Sequence, residues 1–582
     1  MSLIHGRLVA ALCVCVLSAC ASAPPQKSGP HADHTDMIMP ASTLAQWAQG
    51  AQRLDGLGAY SRKITTASPQ AQIWFDQGLN LIYGFNHDEA VRAFARAIEL
   101  DPACAMCYWG AAEAIGPNYN MPAMEQRWQV LWNAVESAQK YAGHATPAEQ
   151  ALIAALGKRY TSAVPVPADK MQPFNDAYAS AMREVARQYP ADDDAQVFFA
   201  EALMTANPWK LWGNDGKPAP GTGEIVATLE GVIARSPTHP GANHYYIHAV
   251  EASPHPEKAL AEADRLAALM PGAGHIAHMP AHIYQRVGRY ADASAANIAG
   301  ARADATYVDK AKPPGWMYYS GMYFTHNYQF LGYSESMRGR SAAALQAMHE
   351  MRSRLTDESL HMGAGLDWYA AEPWFVMQRF GRWQDILAAP APDPKLFGLA
   401  AAYRYARSAA FAATGQVDAA IAEKAELDAI AIATPVDAPA GLNKAHDLIA
   451  VASAIATAHI ASAQGRHVDA IAALREAVAK EDKLDYDEPA DWFIPVRHLL
   501  GAELLGERRA KEAEQVYRED LQRHPENGWA LYGLAQSLKA QRKSRQAAAV
   551  ERRFTQAWKD ADVVLTSSYA SSPRPGNSSP DS

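Results

Sequence analysis

The chain has 582 residues and a formal net charge of −9, from 53 Lys and Arg against 62 Asp and Glu. That balance supplies no broad basic surface of the kind phosphate-backbone binding needs, so a nucleic-acid partner is not expected. With 49% hydrophobic and 20% charged residues the composition is that of a globular protein, not of a disordered or membrane-filling one.

The first twenty residues, MSLIHGRLVAALCVCVLSAC, place Arg7 before an apolar run from Leu8 to Leu17 and end on small residues and Cys20. The run is too short to span a bilayer and fits a secretory signal, so residues 1–20 are expected to be a signal peptide. The stretch LSAC, Leu17 to Cys20, resembles a bacterial lipobox. That resemblance implies cleavage before Cys20 and acylation of Cys20, the alternative being an ordinary signal peptide that contains a cysteine. The Pro/Ser-rich ASAPPQKSGPHADHTD follows, and residues 21–60 are expected to form a flexible tether. The protein would then face the periplasm or the cell surface of a bacterial envelope, held by lipid alone. His31 to Met39, HADHTDMIM, adds two histidines and two methionines that could hold soft metal ions loosely; tether composition explains them equally well.

Residues 71 to 104 carry Trp74, Gly78, Leu81, Ala90, Phe94, Ala97 and Pro102. These are the large, small, large, Ala, aromatic, Ala and Pro places of a 34-residue helix–turn–helix period. Only Gln77 departs, where leucine is usual. The small residues let two helices approach, the aromatics fill the space between them, and Pro102 ends the second helix. The register returns at Gly288, Tyr290 and Ala293; at Gly332, Gly339 and Ala344; at Gly415 with Ala420; at Gly465 with Ala470; at Gly501, Ala513, Tyr517 and Pro525; and at Ala535, Ala547 and Phe554. About a dozen units are expected. The chain thus resembles tetratricopeptide repeat (TPR) proteins over most of residues 71–560, within a subgroup of exported bacterial repeat proteins for which no activity is established. The resemblance implies an all-α, right-handed α-solenoid with a concave groove, and no strand is expected. Repeats are expected over 61–205, over 206–345 with insertions, and over 346–562, followed by a disordered tail at 563–582. GNDGKPAPGTGE from Gly213 and DKAKPPGWMYYSG from Asp309 read as inserted loops, in which Trp316, Tyr318 and Tyr319 could act as lids.

His275, His278 and His282 with Gln285 fall within an arc of roughly 80° on one helix, on the side that faces the groove in this repeat type. His244 and His248 stand 34 residues before His278 and His282, and Glu251 stands 34 before Gln285. Adjacent first helices, about 8–10 Å apart, would present paired His-x3-His motifs at one height, a spacing that lets two ring nitrogens share one metal ion. Neutral imidazole suits a divalent transition metal, Zn or Cu, and equally Ni or Fe. Glu251 is a candidate ligand, general base or orienter, and as a base it would make the chain a metal-dependent hydrolase. The bland alternative is a set of histidines hydrogen-bonded to one another and to tyrosines.

Cys104 and Cys107 are expected to form a structural disulfide, with a metal role shared with His87 as an alternative. No Ser-His-Asp arrangement, Walker loop or dinucleotide fingerprint is present, so nothing assigns an enzyme. The first expectation is a lipid-anchored solenoid that binds a ligand or protein partner in its groove, and the second is a metal-binding protein.

Overall fold

The computed structural model describes residues 41–314, 318–363 and 365–570. The signal peptide, Cys20, the His31 to Met39 stretch and Trp316 lie outside them. The fold is an all-α solenoid. Among the described residues, twelve helix pairs follow one another, from Pro69–Tyr83 with His87–Leu100 to Gly528–Ala540 with Ser544–Ala557, each packed on the next. Strand is confined there to Pro439–Ala440 against Asn443–Lys444 and two isolated bridges, a departure from the strandless expectation that follows from a tight turn at Gly441, φ +59.

The first pair shows why these residues form hairpins. Ser68 caps its first helix with Pro69 in the first turn, and Asn86 caps its second. Between them the chain turns through a left-handed residue, Phe85, φ +53. The backbone N–H of Asn86 then reaches back to Leu81 O at 2.9 Å, which satisfies a carbonyl the helix end would leave open. Gly288, Gly339, Gly415 and Gly465 take the same left-handed place in later hairpins.

Three sequence expectations change. Residues 41–60 are no tether: Trp47 and Leu57 are buried, and the strap they start runs across the coil. Gly272 N–H donates to Gly56 O at 2.8 Å, and Arg62 bridges Asp192 and Asp194 at 2.6 and 2.9 Å. Residues 563–570 of the expected tail are also packed, with Tyr569 buried and Ser568 hydrogen-bonded to Tyr517 at 2.6 Å. The insertion from Asp309 is shorter than expected, because Tyr290–Ala311 runs through its start and Tyr318–Met337 absorbs its end. Tyr319 is buried, not a lid.

The coil is tight enough to touch itself. Pro240–Val250 of the fifth pair packs on Pro69–Tyr83 of the first, and Tyr318–Met337 of the seventh on His87–Leu100. Two large apolar cores result, one built between residues 47 and 330, the other between 290 and 569. The histidines sit where they meet.

Candidate metal centre

Three consecutive first helices carry the site: Pro240–Val250 brings His244 and His248; the broken helix Gly274–His278 and Pro280–Arg286 brings His275, His278 and His282; and Tyr318–Met337 brings His326. Pro280 causes the break, because it has no N–H for the ladder. The histidines do not line an open groove as expected. His244, His248, His275, His278 and His282 are at most 2% exposed, covered by Phe85 of the first hairpin's turn, by Tyr119 and Trp209, and by the loop that carries Glu488. They form two triads. One donor atom each from His244, His248 and His275 lies within 4.8 Å of the others, and the same holds for His278, His282 and His326.

The hydrogen bonds around the rings are directional. His244 Nδ1 donates to Tyr83 O at 2.6 Å, and a carbonyl can only accept. His278 Nδ1 donates to Asn297 Oδ1 at 2.6 Å, the amide being oriented by its own donation to Ala293 O. His326 Nδ1 donates to Gln329 Oε1 at 2.8 Å, and Gln329 in turn donates to Glu372 at 2.7 Å. His248 Nδ1 donates to Glu251 Oε1 at 3.0 Å. Each of these four rings therefore carries its hydrogen on Nδ1 and leaves a lone pair on Nε2. His244 Nε2 stands 3.1 Å from His275 Nε2, and His278 Nε2 stands 2.9 Å from His282 Nε2. His248 Nε2 is buried with no partner among the described residues. Inward lone pairs with outer acceptors are what a metal-ligating imidazole requires.

Electrostatics agrees. Burial holds His244, His275 and His278 well below the usual imidazole range, and pushes His326 down to about 3. His282 is the exception. Burial opposes its protonation, but Glu251 Oε2 at 2.8 Å and Glu488 Oε2 at 3.3 Å outweigh burial and raise it. The Glu251 contact is close but bent away from a hydrogen-bond line. Burial would raise the Glu251 carboxyl, yet the two histidines hold it below its usual range.

Glu251 thus has one oxygen on His248 and the other on His282, which belong to different triads. Glu251 orients His248 through Oε1, while its Oε2 faces His282 without a hydrogen-bond partner among the described residues. Gln285 does not join the donors: its amide nitrogen reaches Ser334 Oγ at 2.8 Å and Phe330 O at 3.3 Å. Cys104 and Cys107 are joined in a disulfide, so their sulfurs cannot share a metal with His87.

Sequence reasoning missed His326, Glu488, Phe85 and Asn297. The His326 signal was present: His275 and His326 each stand thirteen residues before the turn glycine of their hairpin, Gly288 and Gly339. Each triad has a phenyl ring against it. Phe85 stacks on His248 and His275 at 5.6 and 5.4 Å, while Phe330 lies 4.6 and 4.5 Å from His278 and His282.

A cavity of about 850 Å³ opens beside the centre. Tyr119 and Trp209, part of its wall, lie 5.3 and 5.9 Å from His248 between ring centroids. A second cavity of about 500 Å³ is lined by Glu488, which contacts His282.

No protein-family model matches the chain, and none of the curated proteins does. Solved structures are similar at low identity. The human IFIT1 dimer with m7Gppp-AAAA is 11% identical with a TM-score of 0.32, covering 86% of this chain and 97% of its own. Yeast Tom70 is 9% identical with a TM-score of 0.28, covering 84% and 93%. The Cut9–Hcn1 assembly is 12% identical with a TM-score of 0.30, covering 85% and 78%.

Proposed function

We propose that the chain is a metal-binding protein whose centre is the buried histidine cluster, exported and lipid-anchored through Cys20. The carrying observation is the set of four Nε2 lone pairs, on His244, His248, His278 and His326, that face the cluster because each ring gives its Nδ1 hydrogen to an outer acceptor. Six imidazoles in two triads suit a transition metal over magnesium or calcium, and a third group, Glu251 and Glu488 with His282, sets two carboxylates beside them. The anchor rests on the LSAC stretch, and the disulfide fits an oxidising compartment. A protein partner, the other expectation from the repeat fold, would dock outside this centre, because Phe85, Tyr119, Trp209 and the Glu488 loop occupy its face.

The test is elemental analysis of untagged protein purified without chelator. At least one equivalent of a transition metal per chain is expected, falling to background in the double variant His244→Ala, His278→Ala. Wild-type protein that stays metal-free, and refuses copper, zinc, nickel and iron on reconstitution, would end this reading.

A further inference from the structure

The donor set divides in two, and the division has chemical content. His244, His248 and His275 form one group of three nitrogens, and His278, His282 and His326 form another. The groups abut. His275 lies 5.7 Å from His278 between ring centroids, and His248 lies 5.7 Å from His282, no farther than rings within one triad, where the range is 4.8 to 6.1 Å. Two ions in such neighbouring groups fall in the range where one small ligand can touch both, about 3.5–4 Å between metals. Glu251 binds an outer nitrogen of each triad, so the two sites share one orienting group.

Resting on the metal reading above, we infer that the cluster holds two copper ions, one per triad, and that they enter as Cu(I). Charge decides the ion. As ligands the imidazoles must be neutral, His282 giving up the proton that Glu251 and Glu488 favour on it, and those two carboxylates are the ones in contact with the outer nitrogens. Two divalent ions would bring four positive charges into an interior that holds two carboxylates, and unpaired buried charge is costly. Two monovalent ions match them. Zinc takes four ligands, and in a three-histidine site it draws the fourth from water, which each triad would have to admit. Phe85 and Phe330 pack apolar rings against the triads, and Tyr323 adds a ring whose hydroxyl accepts from Asn120.

A cuprous pair is a two-electron centre. Each Cu(I) gives up one electron, so one dioxygen molecule that reaches both takes two and becomes peroxide, while both ions become Cu(II). No proton is needed for that step.

The test uses the full mature chain, untagged and metal-free, titrated without oxygen with Cu(I) against a colorimetric chelator. Two equivalents are expected for wild type, and one each for His244→Gln and His326→Gln, with circular dichroism confirming that both variants fold. Air is then admitted. Less than about a tenth of the wild-type copper should give a Cu(II) spin-resonance signal, because adjacent spins couple, while each variant should show the full signal of its single ion. The wild-type measurement stands even if the variants fail to fold. One equivalent in wild type, or two with full spin intensity, overturns the paired site. Zinc bound at two equivalents with copper refused overturns the choice of ion and leaves the metal reading standing. Refusal of every metal ends both.

Discussion

Glu251 touches two histidines that belong to different triads, and that position makes it the most informative single residue. Its carboxylate fixes the hydrogen on His248 Nδ1 and carries the counter-charge for His282. Glu251→Gln keeps the shape and removes the charge. Outer-shell changes of this kind typically weaken metal binding about 10–100-fold, and chelator competition should find that loss with the helix content unchanged. Unaltered affinity would mean that the histidines are held by packing alone. Residue-scale legibility was uneven. Four of the five histidines of the fifth and sixth pairs were visible because they repeat at 34 residues, His275 was visible because it shares a helix face with two of them, and His326 was hidden only by the lengthened hairpin before it. Glu488, Phe85 and Asn297 come from a loop, a turn and a second helix, and no spacing links them to the cluster.

The helix pairs are held by aromatic rings set between glycines. Phe94 lies between Gly78 and Gly110, where an added Cβ would stand 2.7 and 2.5 Å from its ring. Tyr517 repeats the arrangement with Gly501 and Gly533, at 2.3 and 2.1 Å. Phe94 and Tyr517 are fully buried, so neither can swing aside. Gly110→Ala is expected to cost about 1–3 kcal/mol through overpacking, read as a lower urea midpoint, while Gly143→Ala, with open space around it, should not. Equal effects would remove the packing argument. This level was the most legible, because the period that names the small and aromatic places is the same period that brings them together.

At the scale of the whole molecule, the coil is closed by contacts between distant pairs. Arg379 donates to His498 Nδ1 at 2.8 Å, and His498 Nε2 donates to Asp520 at 2.9 Å, which ties the eighth pair to the eleventh. Burial would raise the Asp520 carboxyl, but His498 and His524 outweigh it and hold it far below its usual range. A carboxylate whose folded value is depressed contributes stability that is complete above its unfolded value, about 4, and is lost as pH falls below that. Asp520→Asn should therefore lower the urea midpoint at pH 7, and the gap to wild type should narrow between pH 4 and pH 3. A gap independent of pH would mean that the carboxylate's charge plays no part. Trp529 Nε1, donating to Ser336 O at 2.9 Å, and Asp562, accepting from Ser341 N–H at 2.7 Å, close the same turn.

The hairpins, their number and the alignment of five histidines were determined by the sequence alone, because each depends on neighbours within one 34-residue period. Small rotations between successive pairs add up to a coil, and no local pattern states how far they add. Only the tertiary structure decided that the coil meets itself, that residues 41–60 strap it and that residues 563–570 seal it. Those contacts turned an expected open groove into a dry interior, and burial is what converts a row of histidines into a set of converging neutral donors.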